Sequence, residues 1–423
     1  MHVVVLGAGV TGVTAAWYLS KAGHDVTVLE RQPTAGMETS FANGGQISVS
    51  HAEPWANPHA PLQIVKWLAR EDAPLLFRLR ADWRQWLWGL AFLRECTPAR
   101  TRHNIAQLVN LGLHSRAALQ KLRADTGLEY DQVTRGILHF YTSEKEWEHA
   151  QQAAAVMREY GCELEMVDAA ACVAIEPALE SAQHQITGAS MTRSDESGDA
   201  HKFTQGLARL CIEAGVQFRY GVTIEALSVS GAGAARRMEG ARIRNETGAV
   251  ETVNADACVL CLGSYSPLLA RPLGLSLNIY PAKGYSVTMP VADAARAPTV
   301  SLTDDEYKLV FSRLGDRLRV AGTAELNGYN TELNVVRCNA ILQRAQALFP
   351  DAGDASRAQF WTGLRPATPS NVPYIGTSRI AKLYLNTGHG TLGWTHACGS
   401  GQAIADIVSG REPEVDFAFC QRH

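Results

Sequence analysis

The stretch GAGVTG sets Gly7, Gly9 and Gly12 at G-x-G-x-x-G spacing, after a β-branched run (HVVVLGAG) and before a helix-forming one (VTGVTAAWYLSKAG). Gly7 permits a tight turn, Gly9 lets backbone approach a pyrophosphate, and Gly12 lets helix pack closely on strand. The intervening Ala8, Val10 and Thr11 put their amides at a helix N-terminus, where free N–H groups and the positive dipole end favour phosphate. DVTVLE then closes on Glu30, with Arg31 after it. A carboxylate at Glu30 is placed to accept from both ribose hydroxyls and disfavours a 2′-phosphate, which argues against NADP. FAD and NAD share this fingerprint, so the rest of the chain must separate them.

A second chemical signal lies near the other end. WTGLRPATPSNVPYIG holds Arg365 among glycines, prolines and apolar residues, with no acidic residue in the stretch. A guanidinium there needs a distant carboxylate, an outlet to the surface, or an anionic ligand. If a ligand, the planar fork suits a carboxylate, gripped bidentately in a way a lysine does not reproduce.

These residues need elements to hold them. The first thirty residues read as strand, helix, strand, a βαβ unit. The Gly/Ser/Thr-rich loop RQPTAGMETSFANGGQIS follows and is too long for a simple connection. From Pro61 to about Tyr160 the pattern is helical (PLQIVKWLARED, DWRQWLWGLAFLREC, NIAQLVNLGLHSRAALQKLRAD and EKEWEHAQQAAAVMREYG), with GILHFYT alternating like a strand. DAHKFTQGLARLCIEAG is a further amphipathic helix, leading to VQFRYG, two strands and the buried run ACVLCLG. LNIYPAKGYSVTMP, YKLVFSR and RLRVAG read as antiparallel strands, then NVVRCNAILQRAQALF as a helix. KLYLNTG and GWTHACGSGQAIADIVSG close the chain as strand and helix.

Composition bounds the function. The chain has 423 residues, 46% hydrophobic and 19% charged, enough for two domains with cores of their own. Its net charge of -3 carries no basic excess, which argues against a nucleic-acid partner. The nine cysteines are scattered and odd in number, as in a reduced cytoplasmic protein. Cys258 and Cys261 form a CxxC inside one strand, where positions three apart face opposite ways, so no metal site is expected. Val3 to Ser20 is uncharged but lacks the positive n-region of a signal peptide. No other stretch approaches the ~18–20 apolar residues of a membrane span.

Taken in order, the fingerprint, ETSFANGGQIS, LGSYS, YPAKGYS, FWTGLRPATP and LNTGHGTLGWTHACGSGQ resemble the small subunit of bacterial D-amino acid dehydrogenases. These belong to the FAD-dependent family that also holds D-amino acid oxidase, glycine oxidase and sarcosine oxidase. The resemblance runs from Met1 to about Pro413. It implies an α/β fold: a discontinuous Rossmann-type FAD-binding domain (1–60, 190–275 and 355–423) and a substrate domain (61–189 and 276–354) on a mostly antiparallel sheet plus helices.

By the same resemblance, Thr39, Ser40, Asn43, Gly44, Gly45, Gln46 and Ile47 would line the ribityl chain and flavin ring. The backbone of Val222 would pair with adenine, and Gly263 and Gly363 would let the chain pass close to the cofactor. TGHGTLGW, with Gly388, Gly390, Thr391, Leu392 and Gly393, presents backbone N–H groups at a helix start, which would stabilise negative charge on a reduced flavin. Arg365 would bind the substrate carboxylate, supported by the Tyr307 hydroxyl, with Lys283 and Tyr285 near the pocket. His389 would be a positioning hydrogen bonder rather than a base.

The implied reaction is oxidative deamination of a D-amino acid such as D-alanine. Hydride passes from Cα to flavin N5, leaving a 2-oxo acid and ammonium, and the electrons go on to a respiratory quinone or dye-type acceptor. Three alternatives stay open: an oxidase of glycine or sarcosine, a D-proline or hydroxyproline dehydrogenase, and a non-catalytic flavin-binding subunit. The resemblance also raises peripheral contact with the inner membrane and assembly with a second subunit or another copy. Trp83, Trp86 and Trp88 in DWRQWLWGLAFLREC do not share one helical face, so that run reads as a packed helix.

Overall fold

A computed structural model describes residues 1–67, 70–71 and 73–421 of the chain. β-Branched strands buried on both faces assemble as parallel neighbours covered by helices. His2–Leu6 pairs in parallel with Asp25–Leu29 on one side and Ala257–Leu260 on the other. Gln217–Arg219 and Leu383–Thr387 extend this sheet in parallel, and Tyr374–Thr377 closes its edge antiparallel, giving six strands. Helices Val10–Lys21, Ala200–Glu213 and Gly393–Val408 pack in one core with the sheet, around Leu19, Phe203, Trp394 and Ile404.

The second sheet has nine strands and is mostly antiparallel. Tyr280–Pro290 lies between Gln359–Ala367 and Arg317–Leu326, and the order continues through Leu309–Leu314, Ser301–Asp304, Ile137–Tyr141 and Gly188–Thr192 to Glu165–Val167. Leu75–Phe77 joins Arg317–Leu326 in parallel. Helix Val335–Leu348 covers one face with Ile341 and Leu348 packed among Tyr285, Val287 and Phe311. Two strands ladder the sheets' loops together: Gln46–Ile47 against Glu196–Ser197. The fold is α/β, as expected.

Differences from the expectations lie at element ends. YKLVFSR begins as a strand only at Leu309, because Asp305 to Lys308 form the turn that joins Ser301–Asp304 to Leu309–Leu314. The helix expected over PLQIVKWLARED spans Ala60–Trp67, and Leu68, Ala69 and Asp72 lie outside the described residues.

The tryptophans of helix Trp83–Glu95 do not share one face, as expected, but the helix is packed on one side only. Trp88 and Phe92 pack inward at 3% and 5% exposure, while Trp83, Trp86, Leu87, Leu90 and Leu93 stand 50–61% exposed on the other side. The helix has two apolar faces, one of them in solvent.

Candidate functional site

The Gly7–Gly12 turn is built by backbone that leaves no room for side chains. Gly7 has φ of +102°, and a Cβ on it would come within 2.9 Å of the Cys261 carbonyl. A Cβ on Gly12 would sit 1.9 Å from the Gly7 carbonyl oxygen. Gly9 has only Ser40 Oγ near it, at 3.7 Å, so backbone is open to a ligand there. It is the N-cap of helix Val10–Lys21, whose end carries no capping hydrogen bond from the N-cap side chain; Val10 N–H donates to Ser40 Oγ at 3.0 Å.

Glu30 sits at the end of the neighbouring strand, 9% exposed. Its Oε2 accepts from Ala8 N–H at 2.7 Å and its Oε1 from Gln32 N–H at 2.9 Å. Burial pushes its carboxyl above the ordinary range despite those bonds. Two oxygens with spare lone pairs beside an open glycine turn fit the ribose and pyrophosphate of a dinucleotide. Arg31 stacks over Tyr265 at 4.0 Å and bonds Glu38 through Nε at 2.6 Å, forming a side wall. Val222 N–H is committed to the Glu30 carbonyl at 3.0 Å, so any pairing with a base falls to its own carbonyl.

The loop after Arg31 runs on to the second sheet. Thr39 Oγ1 donates to Leu364 O at 3.0 Å, and Gly45 N–H to Asn43 Oδ1 at 3.0 Å. Gln46 Nε2 reaches Ser301 Oγ at 3.1 Å and Thr303 Oγ1 at 3.2 Å, and Ile47 is fully buried. A Cβ on Gly44 would strike Val310 at 2.3 Å, and one on Gly363 would strike the Trp361 ring at 2.2 Å. Gly263, Gly388 and Gly390 all take positive φ, and Gly390 N–H donates to Pro366 O at 3.0 Å. The end of helix Gly393–Val408 has no side-chain cap, leaving its first-turn N–H groups free of intrahelical partners.

These elements enclose a cavity of about 310 Å³. Thr39, Asn43, Gly44, Gly45 and Gln46 line it together with Gly363, Thr391, Leu392 and Arg365. Arg365, on strand Gln359–Ala367, is surrounded by protein but keeps part of its surface on the cavity. Its Nη1 donates to Thr323 O at 2.6 Å and its Nη2 to Gly322 O at 3.5 Å. Among the described residues no carboxylate lies within 4.0 Å of it. Burial, and to a lesser degree the charge of Arg337, holds its pKa down to about 10. Gly284 faces it, and a Cβ there would come 2.4 Å from the guanidinium carbon. Thr323 has φ of +52°, a left-handed backbone that β-branched residues seldom adopt, and this turns its carbonyl to Arg365.

Three expected site residues fall outside the cavity, and a fourth borders it with its hydroxyl already engaged. Tyr307 sits on the hairpin turn, 47% exposed, under the Arg344 guanidinium at 4.1 Å, and does not line the cavity. Lys283 is 2% exposed on the opposite face of its strand, donating to Asn330 Oδ1 at 2.8 Å and Glu332 O at 3.0 Å. Tyr285 borders the cavity, but its hydroxyl is tied to Glu325 and burial raises its pKa. His389 is 3% exposed, with Nε2 unpartnered and burial keeping it neutral down to about 3, and it too does not line the cavity. Conversely, His51, Glu53, His139, Glu146, His149, Asp305 and Lys308 all line the cavity, and none was expected there. The available signal was His139 inside the apolar run ILHFY, a polar residue in a buried strand.

The sequence matches the model of one family, FAD dependent oxidoreductase, over residues 2–407. The chain belongs to this family. FAD is thus its cofactor, and the open glycine turn, the buried Glu30 and the start of helix Gly393–Val408 without a side-chain cap fit it. The chain is 59% identical over 419 residues to a D-amino acid dehydrogenase of Dechloromonas aromatica, covering 99% of each. A D-amino acid dehydrogenase of Paramagnetospirillum magneticum is 55% identical, over 99% of this chain and 97% of that one. Among solved structures, glycine oxidase from Geobacillus kaustophilus superposes with a TM-score of 0.75 at 22% identity, over 100% of this chain and 98% of that one. The last likeness establishes the fold.

Proposed function

We propose that this FAD-dependent enzyme oxidatively deaminates D-amino acids of the D-alanine kind to 2-oxo acid and ammonium, and passes the electrons to a quinone or dye-type acceptor. The observation that carries this reading is Arg365, a guanidinium enclosed by protein and facing a cavity, with no carboxylate within 4.0 Å among the described residues. A substrate carboxylate supplies that anion, and the planar fork fixes its orientation as well as its charge. The carbonyls of Thr323 and Gly322 steady the guanidinium without neutralising it. The two relatives' names supply the D-amino acid class.

Gly7 to Gly12, Glu30, Thr39, Ser40 and Asn43 to Ile47 would hold FAD, with Gly363 and Gly388 to Gly393 against its ring end. When bound, FAD supplies a two-electron acceptor for the substrate Cα–H, and the chain supplies placement and electrostatics. Trp394 and Thr395 in the first turn of helix Gly393–Val408 line the cavity, and the N–H groups of that turn would favour the negative charge that accompanies two-electron reduction. Trp361, Val310 and Leu392 give it apolar walls that exclude water.

Anaerobic titration tests the reading: D-alanine should bleach the flavin absorbance of the purified protein and L-alanine should not. Equal bleaching by both, or by neither, overturns it. Peroxide formation in air without quinone reduction would place the enzyme among the oxidases instead.

We further propose that the enzyme meets its acceptor at a membrane surface. No helix among the described residues is long and apolar enough to cross a membrane. The exposed face of helix Trp83–Glu95 offers an interfacial contact, since tryptophan and leucine suit the headgroup boundary. Across 61–100, Lys66, Arg70, Arg78, Arg80, Arg84, Arg94 and Arg100 outnumber Glu71, Asp72, Asp82 and Glu95, in a chain whose net charge is -3. The protein should float with anionic vesicles, and Trp86→Ser with Leu90→Ser should abolish this.

A further inference from the structure

A second set of charged side chains lines the cavity that holds Arg365. Lys308 Nζ lies 2.7 Å from Asp305 Oδ2, so this cation and anion satisfy one another. Glu53 and Glu146 have no such partner. Glu53 accepts from Asn57 Nδ2 at 3.0 Å and lies 3.3 Å from His149 Nε2, while Glu146 accepts from Gln63 Nε2 at 3.4 Å. Among the described residues neither carboxylate has a lysine or arginine nitrogen within 4.0 Å. Burial favours neutral forms of His139 and His149, so they bring no compensating charge. His139 is 5% exposed on the cavity wall, and its Nε2 has no hydrogen-bond partner.

The charge balance of an occupied cavity follows. A substrate carboxylate answers Arg365, Asp305 answers Lys308, and the α-amine reacts as the neutral base. Two carboxyl groups and one unpartnered imidazole nitrogen are left, all of them hydrogen-bond acceptors once ionised or neutral respectively.

We propose that Glu53 and Glu146, with His139, form a side-chain subsite for a cationic group, so that D-amino acids ending in an ammonium or guanidinium are preferred over apolar ones of equal length. This rests on the reading of the enzyme as a D-amino acid oxidoreductase, and its test separates the two. In kcat/KM, D-lysine should exceed D-norleucine by about tenfold or more, the scale of one charge-assisted hydrogen bond. Glu53→Gln with Glu146→Gln should bring the ratio near one. A wild-type preference for D-norleucine, or a ratio unchanged in the double variant, overturns the subsite while leaving D-amino acid oxidation intact.

Binding of two non-reacting carboxylates to the wild-type holoenzyme, read from the flavin spectrum, needs neither turnover nor a variant. 6-Aminohexanoate should bind about tenfold more tightly than hexanoate. Equal affinities overturn the subsite. The same preference in a protein that no D-amino acid bleaches would uphold the subsite and overturn the reading beneath it.

Discussion

The glycine cradle and the substrate end of the cavity are built by opposite means. In the cradle, backbone does the work, and side chains matter mainly by their absence: a methyl group on Gly12 would overlap the Gly7 carbonyl at 1.9 Å. Around Arg365 side chains do the work, drawn from elements far apart in the chain. His139 and Arg365 come from strands of the second sheet, Asp305 and Lys308 from one of its turns and His51 from the short helix Val49–His51, and they meet only in the folded chain. A backbone-made site is local and intolerant of any added atom, whereas a side-chain-made site is dispersed and fails by degrees.

That contrast is open to attack, most forcefully at Gly12. Gly12→Ala should yield little flavin-bound protein, since the new Cβ meets backbone rather than a yielding side chain and falls at the upper end of the ~1–3 kcal/mol typical of overpacking. Flavin content of the purified variant measures this, and full occupancy would mean the turn relaxes freely.

Arg365→Lys should be milder and differently placed. Flavin stays bound, while kcat/KM for D-alanine falls about 100-fold through loss of the bidentate fork. Unchanged kinetics would remove Arg365 from the substrate site.

The smallest effect concerns Glu53, whose carboxyl is pushed up to about 7, chiefly by burial. The folded chain binds this proton more tightly than the unfolded chain, so the group's contribution to stability falls as pH rises from its ordinary carboxylate value through about 7. Glu53→Gln should therefore raise Tm by a few degrees at pH 8 and leave it unchanged near pH 4. Equal shifts at both pH values would assign the effect to packing.

The same contrast explains what could be read from the chain. Gly7, Gly9, Gly12 and Glu30 lie within one βαβ unit, so their spacing already encodes their geometry. Arg365 was legible because a lone charge among apolar residues demands a partner wherever the chain goes. Tyr307 and Lys283 misled for a physical reason. A strand pattern gives alternation but neither its phase nor its first residue, and the turn at Asp305 to Lys308 takes Tyr307 out of the strand. Lys283 lies on the face of its strand away from Arg365 and forms its polar contacts with Glu325, Asn330 and Glu332. Glu146 and His149 share helix Glu144–Glu159, whereas Glu53 follows Val49–His51 far earlier in the chain, and only tertiary contact brings it to 3.3 Å from His149.

Helix Trp83–Glu95 also carries its own optical reporter. Of the nine tryptophans, Trp17, Trp88 and Trp394 are buried, whereas Trp83 and Trp86 stand 61% and 50% exposed. Their indoles are the ones a dissolved iodide ion reaches most readily, so the quenchable share of the protein's fluorescence comes mainly from this one face. Whatever covers that face will announce itself as light that iodide no longer extinguishes.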